Sequence, residues 1–126
     1  MTPPTPANKD TTMSDRAWLA TRKGLIDLRR GAGGAWRIAR TSFLGDPVSM
    51  LLPPLVHGPF AGRMLAALNL GHFGVKLHAS SDGGASWQEV AAPAYPPQPA
   101  DAAGPPWTLG LVWSLAASPD GSTLWA

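Results

Sequence analysis

The sequence predicts an all-β fold built from four-stranded antiparallel units. Three observations predict it: short apolar runs with a two-residue period, frequent Gly and Pro between them, and a turn motif that recurs. Glycine and proline each occur 14 times in 126 residues, about 22 % of the chain together. That share is below the level that signals disorder, yet it cuts the sequence into strand-length pieces. Six tryptophans add large apolar anchors spaced along the chain.

Composition narrows the function classes. The absence of cysteine excludes a disulfide framework and a thiolate metal site. Charged residues make up 14 %, against a usual value of about 25 %. The net charge of +2 conceals an uneven distribution. Between Arg16 and Arg40, the seven bases Arg16, Arg22, Lys23, Arg29, Arg30, Arg37 and Arg40 face a single acid, Asp27, whereas after Thr41 Arg63 and Lys76 face five acids. A basic third could attract nucleic acid. These arginines instead alternate with apolar residues, as on solvated strand faces, and no exposed aromatics interleave them to form a stacking platform. Neither nucleic acid nor a membrane is expected as a partner. The first residues, MTPPTPANKDTTMSDR, lack the apolar core of a signal peptide, no run is long enough to span a membrane, and the cytoplasm is the expected location. Residues 1–15 are expected to be a disordered tail, with Met13 a second possible start.

Taken in order, Trp18-Leu-Ala-Thr is a short strand, Arg22-Lys23-Gly24 a turn, Leu25 to Arg29 a second strand, Gly31 to Gly34 a hairpin tip, and Trp36 to Arg40 a third strand. The next unit has strands at about 47–52, 64–69, 74–80 and 86–90. Within it Val75, Leu77 and Ala79 share one face, and Lys76, His78 and Ser80 the other. Asp82-Gly83-Gly84 provides a carboxylate for turn N–H groups and glycines that accept positive φ. After a proline-rich loop, Leu109 to Ala117 reads as a strand, Ser118-Pro-Asp-Gly-Ser as a turn, and Thr123 to Ala126 as the next strand.

Gly24 precedes Trp36 by 12 positions and Gly74 precedes Trp87 by 13. The first hairpin is therefore a degenerate copy of the second. Leu19-Ala20, Leu65-Ala66 and Leu124-Trp125-Ala126 are assigned equivalent places, which spaces the copies by roughly 46 to 60 residues. A four-stranded unit repeating on this scale with an aromatic at a set position reads as a β-propeller blade. A β-sandwich of the same strands leaves the recurrence unexplained. The expected fold is thus a partial propeller of about two and a half blades: blade one over 17–43, blade two over 47–90, a loop over 91–107 and the start of blade three over 108–126.

Ser80, Asp82, Gly84, Ser86 and Trp87 stand in the spacing S-x-D-x-G-x-[ST]-W. This motif resembles the Asp-box, or bacterial neuraminidase repeat, of sialidase-like propellers, and GHFGVKLHASSDGGASW resembles uncharacterised bacterial proteins described as exo-α-sialidase or glycosyl-hydrolase-like. The resemblance covers about residues 16–126 and implies a longer protein of six or more blades, of which this chain would be an N-terminal piece with open edges prone to self-association. It also implies that ligands bind on the side away from the Asp-boxes. In a four-stranded meander that side collects the second-to-third turns, so the candidate binding residues are Lys23, Asp46, Asn69, His72 and Phe73.

The chemistry is weighed residue by residue. Asp82 reads first as a turn acceptor and Trp87 as blade core. His72 and His78 lack a third ligand nearby, so no metal or other cofactor is expected. Glycoside hydrolysis uses paired carboxyl groups, or in sialidases a tyrosine nucleophile with a partner acid. Glu89 is the one glutamate and Tyr95 the one tyrosine, and Arg37-Ile38-Ala39 lacks the proline of the family's Arg-Ile/Leu-Pro motif. The resemblance carries over scaffold residues and no catalytic residue. The expected role is binding of a carbohydrate or protein ligand. The alternatives are a glycoside hydrolase whose acids lie in other blades and a structural or assembly-factor propeller.

Overall fold

A computed structural model describes residues 13–126. The expected tail lies largely outside the described residues, but order begins before residue 16. The Ser14 hydroxyl donates to the Arg16 carbonyl (2.8 Å), and Asp15 pairs with Arg30 (2.8 Å). The described chain is all-β with antiparallel pairing throughout. Strands β1 (Arg16–Thr21), β2 (Gly24–Arg30) and β3 (Trp36–Ser42) form one sheet. Strands β4 (Val48–Leu52), β5 (Met64–Asn69), β6 (Val75–Ser80) and β7 (Gln88–Val90) form a four-stranded meander, and β8 (Ala116–Ala117) pairs with β9 (Leu124–Trp125).

The three sheets stack as layers, and the middle one is covered on both faces. Strand β5, Met64-Leu-Ala-Ala-Leu-Asn, is buried at every position except Asn69. Its alternation divides the core in two. Ala66 and Leu68 meet Leu25, Val48 and Trp18 toward the first sheet. Leu65 and Ala67 meet Leu77, Ala79, Val112 and Leu115 toward the third layer. A strand with apolar residues on both faces is stable only between two other layers.

Two features differ from the sequence reading. Leu109 to Ala117 is strand only at its last two residues. The hairpin offers only Leu124 and Trp125 as ladder partners, so residues 109–115 attach through side chains instead. Leu109, Val112 and Leu115 reach the middle sheet at three-residue intervals. Second, the alignment of Leu19 with Leu65 is shifted by three positions. Leu19 pairs with Ile26, the third residue of β2, and its counterpart is Leu68, which pairs with Lys76, the third residue from Gly74. The connections explain the slip: β1 turns into β2 through Arg22 and Lys23 alone, whereas residues 70–74 separate β5 from β6. Gly24 and Gly74 do correspond, and both take positive φ (130° and 84°) at the entry to the next strand.

Candidate functional site

The parity of the meander sorts the turns to two ends. Strand β6 enters from the 70–74 turn and exits at Ser80 into the Asp82 turn, about 17 Å along at 3.4 Å per residue. The 22–23 turn and the β3–β4 connection lie at the entry end, and residues 31–35 and 53–63 at the exit end.

At the exit end, Asp82 is held by three donors of its own hairpin. The Ser86 N–H donates to Asp82 Oδ1 (2.9 Å), the Ser86 hydroxyl donates to Oδ2, and the Ser80 hydroxyl donates to Oδ1 (2.8 Å). The Gly84 N–H in turn donates to Ser80 Oγ (2.9 Å). The Ser86 hydroxyl, the Ser86 N–H and the Ser80 hydroxyl together hold the Asp82 carboxyl well below the usual carboxylate range. Gly83 and Gly84 both take positive φ (70° and 86°). The Trp87 ring lies next to Gly84 and 5.1 Å from the ring of Phe43, which follows β3 directly, so it closes the gap between layers. His78 on β6 also meets the Phe43 ring, edge-on at 5.1 Å.

The Asp82 turn is also tied to the first sheet. Arg16 donates to Asp27 Oδ1 (3.0 Å) and Oδ2 (2.7 Å), and its second terminal bond reaches the Gly83 carbonyl (2.7 Å). Arg29 adds two more donors, to Asp27 Oδ1 (3.2 Å) and Oδ2 (3.4 Å). Burial pushes the Asp27 carboxyl up, but the hydrogen bonds and charges of Arg16 and Arg29 outweigh it, and the group is held below its ordinary value. Sequence reasoning missed this staple. Its local half was visible as opposite charges on one face of the β1–β2 hairpin; its far half joins residues 67 positions apart.

A second turn of the same design occurs at Ser118 to Ser122. The Ser118 hydroxyl donates to Asp120 Oδ1 (2.6 Å), and the Ser122 N–H donates to the same oxygen (3.0 Å). The Ser118 and Ser122 donors hold the Asp120 carboxyl down to about 2. Gly121 presses against the His57 carbonyl, and Gly58 against the Asp120 carbonyl, so the 53–63 loop and this turn meet glycine to glycine.

At the entry end, Lys23 and Asn69 line one open groove of about 550 Å³ with Arg22, Gly45, Pro47 and Gly71. Asp46 stands between two lining residues, its N–H bonded to the Phe43 carbonyl (2.9 Å). Gly71, His72 and Phe73 form a single 3₁₀ turn at the rim, where the His72 and Phe73 rings meet edge to face at 5.8 Å and Phe73 is exposed. The groove thus gathers Lys23 and Asn69 on its walls, with Asp46 and the His72–Phe73 pair beside them. Gly45, at positive φ (91°), and Pro47 went unnoticed in the sequence because their role is to shape backbone rather than to present a functional group.

The residues relevant to hydrolysis lie apart from that groove. Glu89 on β7 pairs with Lys76 (2.9 Å), whose hydrogen bond and charge lower its carboxyl pKa. Tyr95 lies in the proline-rich loop with its ring 6.4 Å from Trp107. Tyr95 also borders an apolar groove of about 380 Å³ with Leu109, Leu111, Val112 and Trp113, which no motif announced. Among the described residues, no group of three or more His, Asp or Glu side chains is placed to hold a metal ion, and no helix is long and apolar enough to cross a membrane. No protein-family model and no curated protein matches this chain.

Proposed function

We propose that the chain is part of an Asp-box β-propeller that binds a carbohydrate or protein ligand at the groove lined by Lys23 and Asn69. The observation that carries this reading is the division of labour between the two ends of the middle sheet. At one end Asp82 spends its acceptors on Ser80 and Ser86, which leaves it a turn residue. At the other, two basic side chains and an amide line a groove of about 550 Å³, a few polar groups converging on a concavity. A middle sheet covered on both faces and a recurring Ser-x-Asp turn support the propeller architecture.

A panel of fluorogenic glycosides, read for binding by polarisation and for turnover by fluorophore release, tests the reading. Binding without turnover is expected, weakened about tenfold (about 1.4 kcal/mol) by Lys23→Ala or Asn69→Ala. Asp46→Ala and His72→Ala probe the rim of the groove. Binding unchanged in all four variants overturns the choice of face, and fluorophore release moves the assignment to a glycoside hydrolase. Failure to bind any glycoside, with a protein retained on wild type and lost on Lys23→Ala, identifies the assembly-factor role.

A further inference from the structure

The polar side chains that line the groove at Lys23 and Asn69 present donors. Among the described residues, Arg16, Arg29, Arg30 and Lys76 each pair with a carboxylate. Arg22 and Lys23, both exposed on the β1–β2 turn, pair with none, and both line this groove. Asn69 is the third polar side chain of the lining. Its Oδ1 accepts the Gly71 N–H (3.3 Å), which leaves Nδ2 with the free donors of the amide. The remaining lining residues, Gly45, Pro47 and Gly71, carry no side-chain polar group. The lining thus offers a guanidinium, an ammonium and a carboxamide NH2, with its one side-chain acceptor already engaged.

Backbone hydrogen bonds fix the walls to one another. The Gly45 N–H donates to the Lys23 carbonyl (3.0 Å), and the Asn69 N–H donates to the Pro47 carbonyl (3.1 Å). The Lys23 N–H is itself held by Thr21 Oγ1 (3.0 Å). The β1–β2 turn, the β3–β4 connection and the end of β5 therefore keep their spacing before a ligand arrives, which lowers the ordering cost of binding. Asp46, between Gly45 and Pro47, is the one acid of the β3–β4 connection and opposes the two bases.

Two unpaired positive charges on one groove call for a dianion. A phosphate monoester carries about −1.5 to −2 charges at neutral pH and has three strong acceptor oxygens, which take donors from several directions. Arginine meets such a group with a planar fork and lysine with a point charge. A carboxylate brings a single charge and two coplanar oxygens. Beside these donors the Phe73 ring stands 79 % exposed against His72, an apolar face suited to the C–H face of a sugar ring. We propose that the groove takes a phosphorylated sugar, with its phosphate monoester on Arg22, Lys23 and Asn69 and its ring on Phe73. This rests on the reading of the groove as the ligand site and names the class of ligand.

Isothermal titration of the full chain tests this. The probes are glucose, galactose and mannose, their 6-phosphates, glucuronate, inorganic phosphate and a phosphoserine peptide. At least one hexose 6-phosphate is expected to bind about tenfold or more tighter than its parent hexose, glucuronate or inorganic phosphate. Arg22→Gln and Lys23→Gln remove exposed, unpaired charges. Each is expected to weaken that 6-phosphate about tenfold or more and the parent hexose less. Asp46→Asn is expected to strengthen the 6-phosphate, and Phe73→Ala to weaken it while sparing inorganic phosphate. Glucuronate or inorganic phosphate binding as tightly as every 6-phosphate overturns the inference, and a phosphoserine peptide binding tighter than all of them moves the ligand to a protein. A hexose that binds, is lost in Asn69→Ala and gains nothing from its phosphate overturns the phosphate assignment while the ligand site stands. Binding by no probe overturns both.

Discussion

Asp82 and Asp120 sit two residues after a serine that donates to them, and each also accepts the N–H of a serine further on. Both carboxyls are held below the ordinary aspartate value, Asp120 down to about 2. Because the folded values are depressed, the stability these groups contribute is fully present above about pH 4, the unfolded value, and is lost as pH falls below it toward the folded values. Acid unfolding followed by tryptophan fluorescence should therefore steepen below about pH 4, and Asp82→Asn should flatten that limb while leaving neutral-pH fluorescence unchanged. Asp27 is a different case, since its side chain is 8 % exposed and bonded to two arginines. Asp27→Ala leaves Arg16 half-paired between layers and should cost about 2–3 kcal/mol in urea unfolding. At Gly121, positive φ (68°) and the adjacent His57 carbonyl leave no room for a Cβ. Gly121→Ala should cost about 1–3 kcal/mol and separate the 53–63 loop from the Ser118 turn, read as faster amide exchange there.

Strands behave according to which layers flank them. Leu68 and Leu19 hold matching register positions, yet Leu68 is 1 % exposed and Leu19 47 %. Leu68→Ala should cost about 2–5 kcal/mol through the cavity it leaves. Leu19→Ala should change the unfolding free energy measured in urea by less than about 0.5 kcal/mol. Equal costs would place the first sheet's outward face in contact with the molecule's own core. The positions of the strands in both larger sheets were legible in the sequence because a two-residue period was bounded by turn glycines such as Gly24 and Gly74. Leu109 to Leu115 has the same apolar character without becoming a strand. Pairing needs a partner backbone, and composition carries no information about one.

Across the whole molecule, the bases concentrate in the first sheet, where Arg16 and Arg29 pair with Asp27 and Arg30 pairs with Asp15, while Asp82 and Glu89 lie on the middle sheet and Asp101 and Asp120 beyond it. The groove at Lys23 and Asn69 joins the first sheet's turn to the end of β5 in the middle sheet. Variants there change surface side chains and should alter the unfolding free energy in urea by less than about 0.5 kcal/mol, so a loss of binding reads on the groove itself.

The sequence alone determined the all-β class, the two hairpin turns built on Ser-x-Asp, and the end of the sheet at which each turn lies. These follow from local period, local turn chemistry and the alternation of a meander. The tertiary structure decided the rest: that Arg16 reaches Gly83, that the 109–115 segment attaches by side chains, that Leu19 corresponds to Leu68, and that one apolar sheet face stands open while its counterpart is buried. Each of these depends on which residues meet across layers after the chain has turned back on itself, a relation that connection lengths and packing set and that neighbouring residues do not encode.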